Sequence, residues 1–222
     1  MKFGVLRFPG SCDEVDAQLA AGRVGEAEIL WHGERDLRGV DAVIVPGGFS
    51  YGDYLRAGAI ARFAPIMESV IDFAGQGGLV LGICNGFQVL CEARLLPGAL
   101  LPNVNRRFTF RQVQLEVVNQ NTPFTRACPA ELSIPAKHSF GRWYAPPETV
   151  ARMRERGQIV LRYAEGQNFN GSIEDVAGVC NEQGNVFGLM PHAEHAVDEL
   201  TGSSSGLFIF ESMRQSAAAA HA

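Results

Sequence analysis

The chain has 222 residues, 46% of them hydrophobic and 19% charged; the length suits one domain with a core of its own, and the composition excludes extended disorder. A formal net charge of -5 argues against a nucleic-acid binder, whose affinity rests on basic groups that neutralise phosphates. No apolar run reaches the roughly 18–20 residues needed to span a bilayer, and the charged start Met1-Lys2-Phe3 reads as a strand rather than a secretion signal, so a cytoplasmic protein without membrane contact is expected.

Strand and helix signals alternate through the first hundred residues. Phe3–Phe8 reads as a strand stopped by Pro9-Gly10, Glu28–Trp31 as a short strand, and Asp41–Val45 as a buried strand ended by Pro46-Gly47-Gly48. Ala59–Ala74 carries apolar residues at helical spacing, with Pro65 marking a break or a late N-terminus. Leu79–Ile83 is another buried strand and runs directly into a helical pattern from Gly86 to Ala93. This alternation predicts a parallel sheet covered by helices on both faces. The second half changes rhythm. Val113, Leu115 and Val117 alternate with polar residues, Glu131–Ala136 and Gln158–Tyr163 read as strands, and Val176–Cys180 with Val186–Met190 as a hairpin. Arg152, Arg154 and Arg156 suit a solvated helix face, and Ser203–Met213 a C-terminal helix. The expected organisation is one α/β domain over 1–214, an open, mostly parallel sheet with an antiparallel elaboration in its second half, then a low-complexity, frayed tail at 215–222.

The five cysteines are odd in number and lack a C-x-x-C spacing, which favours free thiols over a disulfide framework or a zinc ribbon. Cys84 stands apart. The run Leu79-Val80-Leu81-Gly82-Ile83-Cys84-Asn85-Gly86-Phe87-Gln88 has the form strand, G-x-C-x-G, helix, the cysteine counterpart of a nucleophile elbow. Such a turn crowds the residues two before and two after the nucleophile, where Gly82 and Gly86 fit, and it lifts the sulfur to a helix N-terminus that favours a thiolate. A thiolate attacking an amide needs a proton shuttle. His192 follows the last strand and is trailed by Glu194, which in an extended segment faces the same way and can fix the imidazole, as the third member of a triad does. A zinc reading of His192, Glu194 and His195 is weaker, because the i, i+4 histidine pair is absent and the elbow already places the cysteine; no metal is expected. The glycine-rich Pro46-Gly47-Gly48-Phe49-Ser50-Tyr51-Gly52-Asp53 ends a strand where open α/β sheets bind ligands, and the N–H groups of Gly48 and Asn85 can form an oxyanion hole.

These segments resemble the class I glutamine amidotransferases, with their flavodoxin-like fold. Phe49-Ser50-Tyr51-Gly52-Asp53-Tyr54-Leu55-Arg56, Gly58–Phe63, Trp31-His32, Asn170-Gly171-Ser172 and Ala196-Val197-Asp198-Glu199-Leu200 are similar, within that class, to the glutaminase subunits of phosphoribosylformylglycinamidine synthases. The resemblance covers the chain apart from its tail. It implies that Cys84, His192 and Glu194 hydrolyse glutamine through a thioester, and that Gln88, His138, Gly47, Phe49, Ser50 and Gly52 surround the substrate. It implies as partners a large synthetase subunit, which uses ATP and magnesium, and a small third subunit, with no cofactor in this chain. The alternatives are an elbow-cysteine hydrolase of DJ-1/PfpI-like type, which usually lacks the late H-x-E, and a non-catalytic interaction subunit. Three segments depart from the family pattern. Lys137-His138-Ser139-Phe140-Gly141 stands where His-Gly-Glu-Gly is usual, His192-Ala193-Glu194-His195 where His-Pro-Glu-Arg is usual, and Pro9-Gly10-Ser11-Cys12-Asp13 is one residue short.

Overall fold

Taken along the chain, the computed structural model, which describes residues 1–220, lays down β1 (Lys2–Arg7), α1 (Glu14–Gly22), β2 (Glu26–Trp31), β3 (Ala42–Val45), α2 (Pro65–Gly75), β4 (Leu79–Ile83) and α3 (Asn85–Glu92). There follow β5 (Ala99–Leu101), β6 (Thr109–Val117), β7 (Glu131–His138), β8 (Arg142–Tyr144), α4 (Pro147–Glu155), β9 (Ile159–Tyr163), β10 (Val176–Cys180), β11 (Val186–Leu189) and α5 (Leu207–Ala220). Nine strands form one sheet in the order β2-β1-β3-β4-β11-β10-β9-β6-β7, while β5 and β8 pair apart from it. The junctions from β2 to β11 are parallel and those from β11 to β7 antiparallel. The expected α/β architecture with a later antiparallel elaboration is what the chain adopts.

Burial follows this division. Every residue of β3, β10 and β11 is buried, which requires cover on both faces of the central strands. Strand β6, between β9 and the edge strand β7, instead alternates, with Val113 and Leu115 inward and Gln112, Gln114 and Glu116 exposed, as suits an antiparallel strand with one wet face. Pro65 resolves as a late helix start: it occupies the first turn of α2, where its missing N–H costs nothing, and residues 61–63 form a separate 3-10 turn.

One element is new and one expectation shifts. Helix α1 is not signalled by an apolar stripe, because it buries its inner face through Ala17, Ala20 and Ala21, small residues that a hydrophobic pattern underweights. The C-terminal helix does not end at Met213 with a frayed tail from 215. It starts later, at Leu207, and continues through Ala220, favoured by four alanines and by Ser216 Oγ, which donates to Pro123 O at 3.1 Å and Ser212 O at 2.8 Å. Residues 221–222 of the expected tail lie outside the described residues. Among the described residues no helix is long and apolar enough to cross a membrane.

Candidate active site

Cys84 sits between β4 and α3 with φ 51° and ψ −104°, a backbone conformation that L residues avoid. The chain reverses so tightly here that a Cβ on Gly86 would lie 1.8 Å from Val45 O, and one on Gly82 would lie 2.5 Å from Leu90 Cδ1 and 2.8 Å from the Gly86 carbonyl carbon. The two glycines of the pentad are therefore steric requirements of the elbow. Cys84 is 6% exposed, and its sulfur faces a cavity of about 140 Å³ at the C-terminal ends of the parallel strands.

The loop after β3 forms one wall. Gly48 pairs with Ser11 in a short bridge, with Phe49 N–H donating to Gly10 O at 2.8 Å and Cys12 N–H to Gly47 O at 3.2 Å. The N–H groups of Gly48 and Asn85 donate no hydrogen bond within the described chain, so two backbone donors stay uncommitted, one in a residue of the cavity wall and one in the residue directly after Cys84. The Asn85 side chain ties this wall to the elbow: Oδ1 accepts from Ser50 N–H at 3.0 Å, and Nδ2 donates to Asp53 Oδ1 at 3.1 Å and Gln88 Oε1 at 2.8 Å.

The base comes from the other half. His192 follows β11, is fully buried, and is anchored by its N–H to Pro135 O at 2.7 Å. A 3-10 turn over Ala193–His195 brings Glu194 Oε1 to 2.5 Å from His192 Nδ1. The expected pairing is thus made by a tight turn rather than by an extended segment. The other ring nitrogen, Nε2, has no hydrogen-bond partner among the described residues, and the ring lines the same cavity as Cys84. Burial disfavours a charged imidazole, but the negative charges of Glu194 and of a Cys84 thiolate outweigh it and hold the His192 pKa well above its ordinary value.

Of the residues expected around a substrate, Gly48, Phe49, Gln88 and His138 line the cavity; Asp53, Phe108, Ser139 and Phe140 stand beside them, with Cys12, Asp13 and Lys137 on its remaining wall. Gly47, Ser50 and Gly52 do not line it; they shape the loop behind. A Cβ on Gly47 would strike Asp13 Oδ2 at 2.4 Å and His192 Cε1 at 2.8 Å, Ser50 is buried, and Gly52 turns at φ 72°. Gln88 Nε2 donates to Phe140 O at 2.5 Å, so that side chain braces the wall. His138 directs Nδ1 to Asn103 Oδ1 at 3.1 Å and stacks on Phe169 with ring centroids 5.1 Å apart. Burial and the neighbouring His192 push its pKa down to about 3, so the ring is neutral at pH 7. Its Nε2 is buried without a partner.

The sequence reading brought His192, Glu194 and His195 together but missed Asp13 and Lys137, which join them. Asp13, His192, Glu194 and His195 bring ligand-type atoms within 4.8 Å of one another. The Lys137 ammonium already stands among them, 2.7 Å from Asp13 Oδ1 and 3.1 Å from His195 Nε2. The signal was present in two of the segments that depart from the family pattern, the short loop Pro9–Asp13 and the His195 that ends H-A-E-H.

Residues 1–211 match a family model described as the CobB/CobQ-like glutamine amidotransferase domain. The chain belongs to that family. A phosphoribosylformylglycinamidine synthase subunit PurQ from Rubrobacter xylanophilus is 56% identical over 216 residues, covering 96% of this chain and 97% of the relative. One from Thermus thermophilus is 52% identical over 219 residues, covering 95% and 96%. A solved structure of PurLQS from Thermotoga maritima contains a chain 42% identical to this one, with a TM-score of 0.89 over 97% of this chain and 98% of that one. A crystal structure of a glutamine amidotransferase from the same organism, at 16% identity and a TM-score of 0.57 over 99% of this chain and 92% of that one, shares the fold. This glutamine amidotransferase is therefore an enzyme subunit of the PurQ kind; Cys84 and His192 line its cavity, and Glu194 holds His192 from behind the ring.

Proposed function

We propose that this chain hydrolyses glutamine to glutamate and ammonia at Cys84. The ammonia passes to an ATP-dependent synthetase subunit that converts formylglycinamide ribonucleotide (FGAR) to formylglycinamidine ribonucleotide (FGAM) in purine biosynthesis. The observation that carries the reading is a cysteine raised on a strained elbow into the cavity that also holds the free Nε2 of a buried His192–Glu194 pair. The names of its relatives and the PurLQS neighbour support the coupling to a synthetase and to a small third subunit.

The chemistry follows from these positions. The Cys84 thiolate attacks the side-chain amide carbon, and the Gly48 and Asn85 N–H groups hold the oxyanion; losing one such donor typically costs about 10²–10³ in rate. The His192 imidazolium protonates the departing nitrogen, the C–N bond breaks, ammonia leaves and a thioester to Cys84 remains. Neutral His192 then takes a proton from water, whose oxygen attacks the thioester. Collapse releases glutamate and restores the thiolate–imidazolium pair. Glu194 holds the Nδ1 proton throughout and offsets the imidazolium charge. Phe49, Gln88 and His138 enclose the amino-acid end of the substrate. These steps need no cofactor in this chain; ATP and magnesium serve the synthetase.

Cys84→Ala in the reconstituted complex is expected to abolish glutamine-dependent synthesis and to leave ammonia-dependent synthesis intact. Equal loss of both would refute the ammonia-donor role. A glutamine-mimicking diazoketone is expected to label Cys84, as read by peptide mass spectrometry.

A further inference from the structure

The buried carboxylate of Asp13 takes no part in those steps, yet it is built into the site at some cost. It is 4% exposed, and burying a carboxylate costs several kcal/mol unless its charge is matched. Asp13 also occupies the N-cap of α1, where an aspartate ordinarily accepts from the first turn of its own helix. Here its side chain makes no such bond. It turns instead to the base: Oδ2 lies 3.6 Å from His192 Nδ1, and Oδ1 meets Lys137 Nζ at 2.7 Å and His195 Nε2 at 3.0 Å. Burial opposes its ionisation, but the hydrogen bond with His195 and the charges of His192 and Lys137 hold its carboxyl well below the usual carboxylate range.

The same loop grips the oxyanion wall. The N–H groups of Cys12 and Asp13 donate to Gly47 O at 3.2 and 3.3 Å, and Ser11 pairs with Gly48. Lys137, held by Asp13, directs its carbonyl toward Cys84 Sγ at 3.9 Å. Three parts of the site, the Gly48 donor, the Cys84 sulfur and the His192 ring, are thus referred to one carboxylate and its loop.

We propose that Asp13 is a second positioning carboxylate for His192, acting through charge across 3.6 Å while Lys137 limits its strength, and that its loop locks the base to the oxyanion wall. This rests on the reading of Cys84 and His192 as nucleophile and base. Glu194 takes the Nδ1 proton at 2.5 Å; Asp13 lies beyond hydrogen-bond distance and favours the imidazolium electrostatically. The groups facing His192 are Glu194 and His195 from its own turn, Asp13 from the loop after β1, Cys84 from the elbow, and Lys137 and His138 from β7.

The test is the rate of Cys84 carboxymethylation by iodoacetate against pH, read on the Cys84 peptide of the full-length chain. An anionic reagent is drawn to a thiolate beside an imidazolium, so the wild-type profile is expected to be bell-shaped, with its descending limb reporting loss of the imidazolium proton. Asp13→Asn removes a negative charge, and the limb is expected to move down by about one pH unit. Lys137→Met removes the opposing charge, and the limb is expected to move up. A merely structural lesion would lower the rate without displacing the limb in opposite directions. Limbs that stay in place, or move the same way, overturn the proposal, as does a wild-type profile without a descending limb. If Asp13→Asn does not fold, Asp13→Ser is read in its place, and a descending limb that does not move down in that variant overturns the proposal. In the assembled complex Asp13→Asn is expected to move the alkaline limb of the kcat profile for glutamine down by about the same one pH unit, with KM within about twofold. Glutamine hydrolysis that survives Cys84→Ala would instead refute the reading of Cys84 as the nucleophile, and the two failures are distinguishable because the labelling profile does not depend on turnover.

Discussion

The two halves of the molecule supply the site in different ways. The parallel half, from β1 to α3, delivers the nucleophile through a local device: the unbroken run Leu79–Glu92 forms strand, elbow and helix, and the strain at Cys84 is set by Gly82 and Gly86 within two residues of it. The antiparallel half delivers the base through tertiary contacts. His192 is held by Pro135 of β7, charged by Glu194 and flanked by Asp13 from a loop 179 residues earlier in the chain. The nucleophile is therefore robust to changes elsewhere, whereas the base depends on several distant groups agreeing.

This contrast can be broken by substitution, starting with the base. Glu194→Gln keeps the shape but loses the charge that favours the imidazolium. Glutamine turnover is expected to fall by about 10³–10⁴, with the alkaline limb of its pH profile moving down, because the imidazolium is then held less tightly; an unchanged profile would show that Asp13 alone carries that charge. On the nucleophile side Gly86→Ala is the sharpest lesion. A Cβ 1.8 Å from a backbone oxygen cannot be relieved by a rotamer change. A loss of about 3–5 kcal/mol in denaturant unfolding is expected, and retention of native stability would show that β3 can yield. The joint between the halves is the mildest target. Asn185, just before β11, donates from Nδ2 to Ala74 O at 2.8 Å and Gly78 O at 2.9 Å, and its Oδ1 accepts from Asn181 at 2.9 Å. Asn185→Ala leaves these buried carbonyls short of a donor and is expected to cost about 1–3 kcal/mol, with glutamine KM unchanged.

Legibility in the sequence follows the same line. Strands Leu79–Ile83 and Val176–Cys180 stand where the apolar runs place them, because buried strands write their whole length as apolar residues. Helix α1 escaped because alanines bury it, and the helical course of 215–220 escaped because four alanines read as low complexity. Within the site, the pentad around Cys84 and the H-x-E at 192–194 were visible as spacings. Gln88 came with the resemblance as a substrate neighbour, and in the fold its amide braces the wall through Asn85 and Phe140. Asp13 and Lys137 could not be found by spacing, since their relation to His192 exists only after β1 and β7 arrive beside the end of β11.

The family, the alternation of strand and helix, and the elbow are all written in the order of the residues, because each is encoded by neighbours whose sterics and periodicity act over a few positions. The assembled fold adds the charges that surround His192, the division between glycines that line the cavity and those that merely shape its wall, and the single loop that holds base and oxyanion wall together. Electrostatic fields and close packing depend on distance in space, and residues 13, 137 and 192 acquire that proximity only when the sheet is assembled.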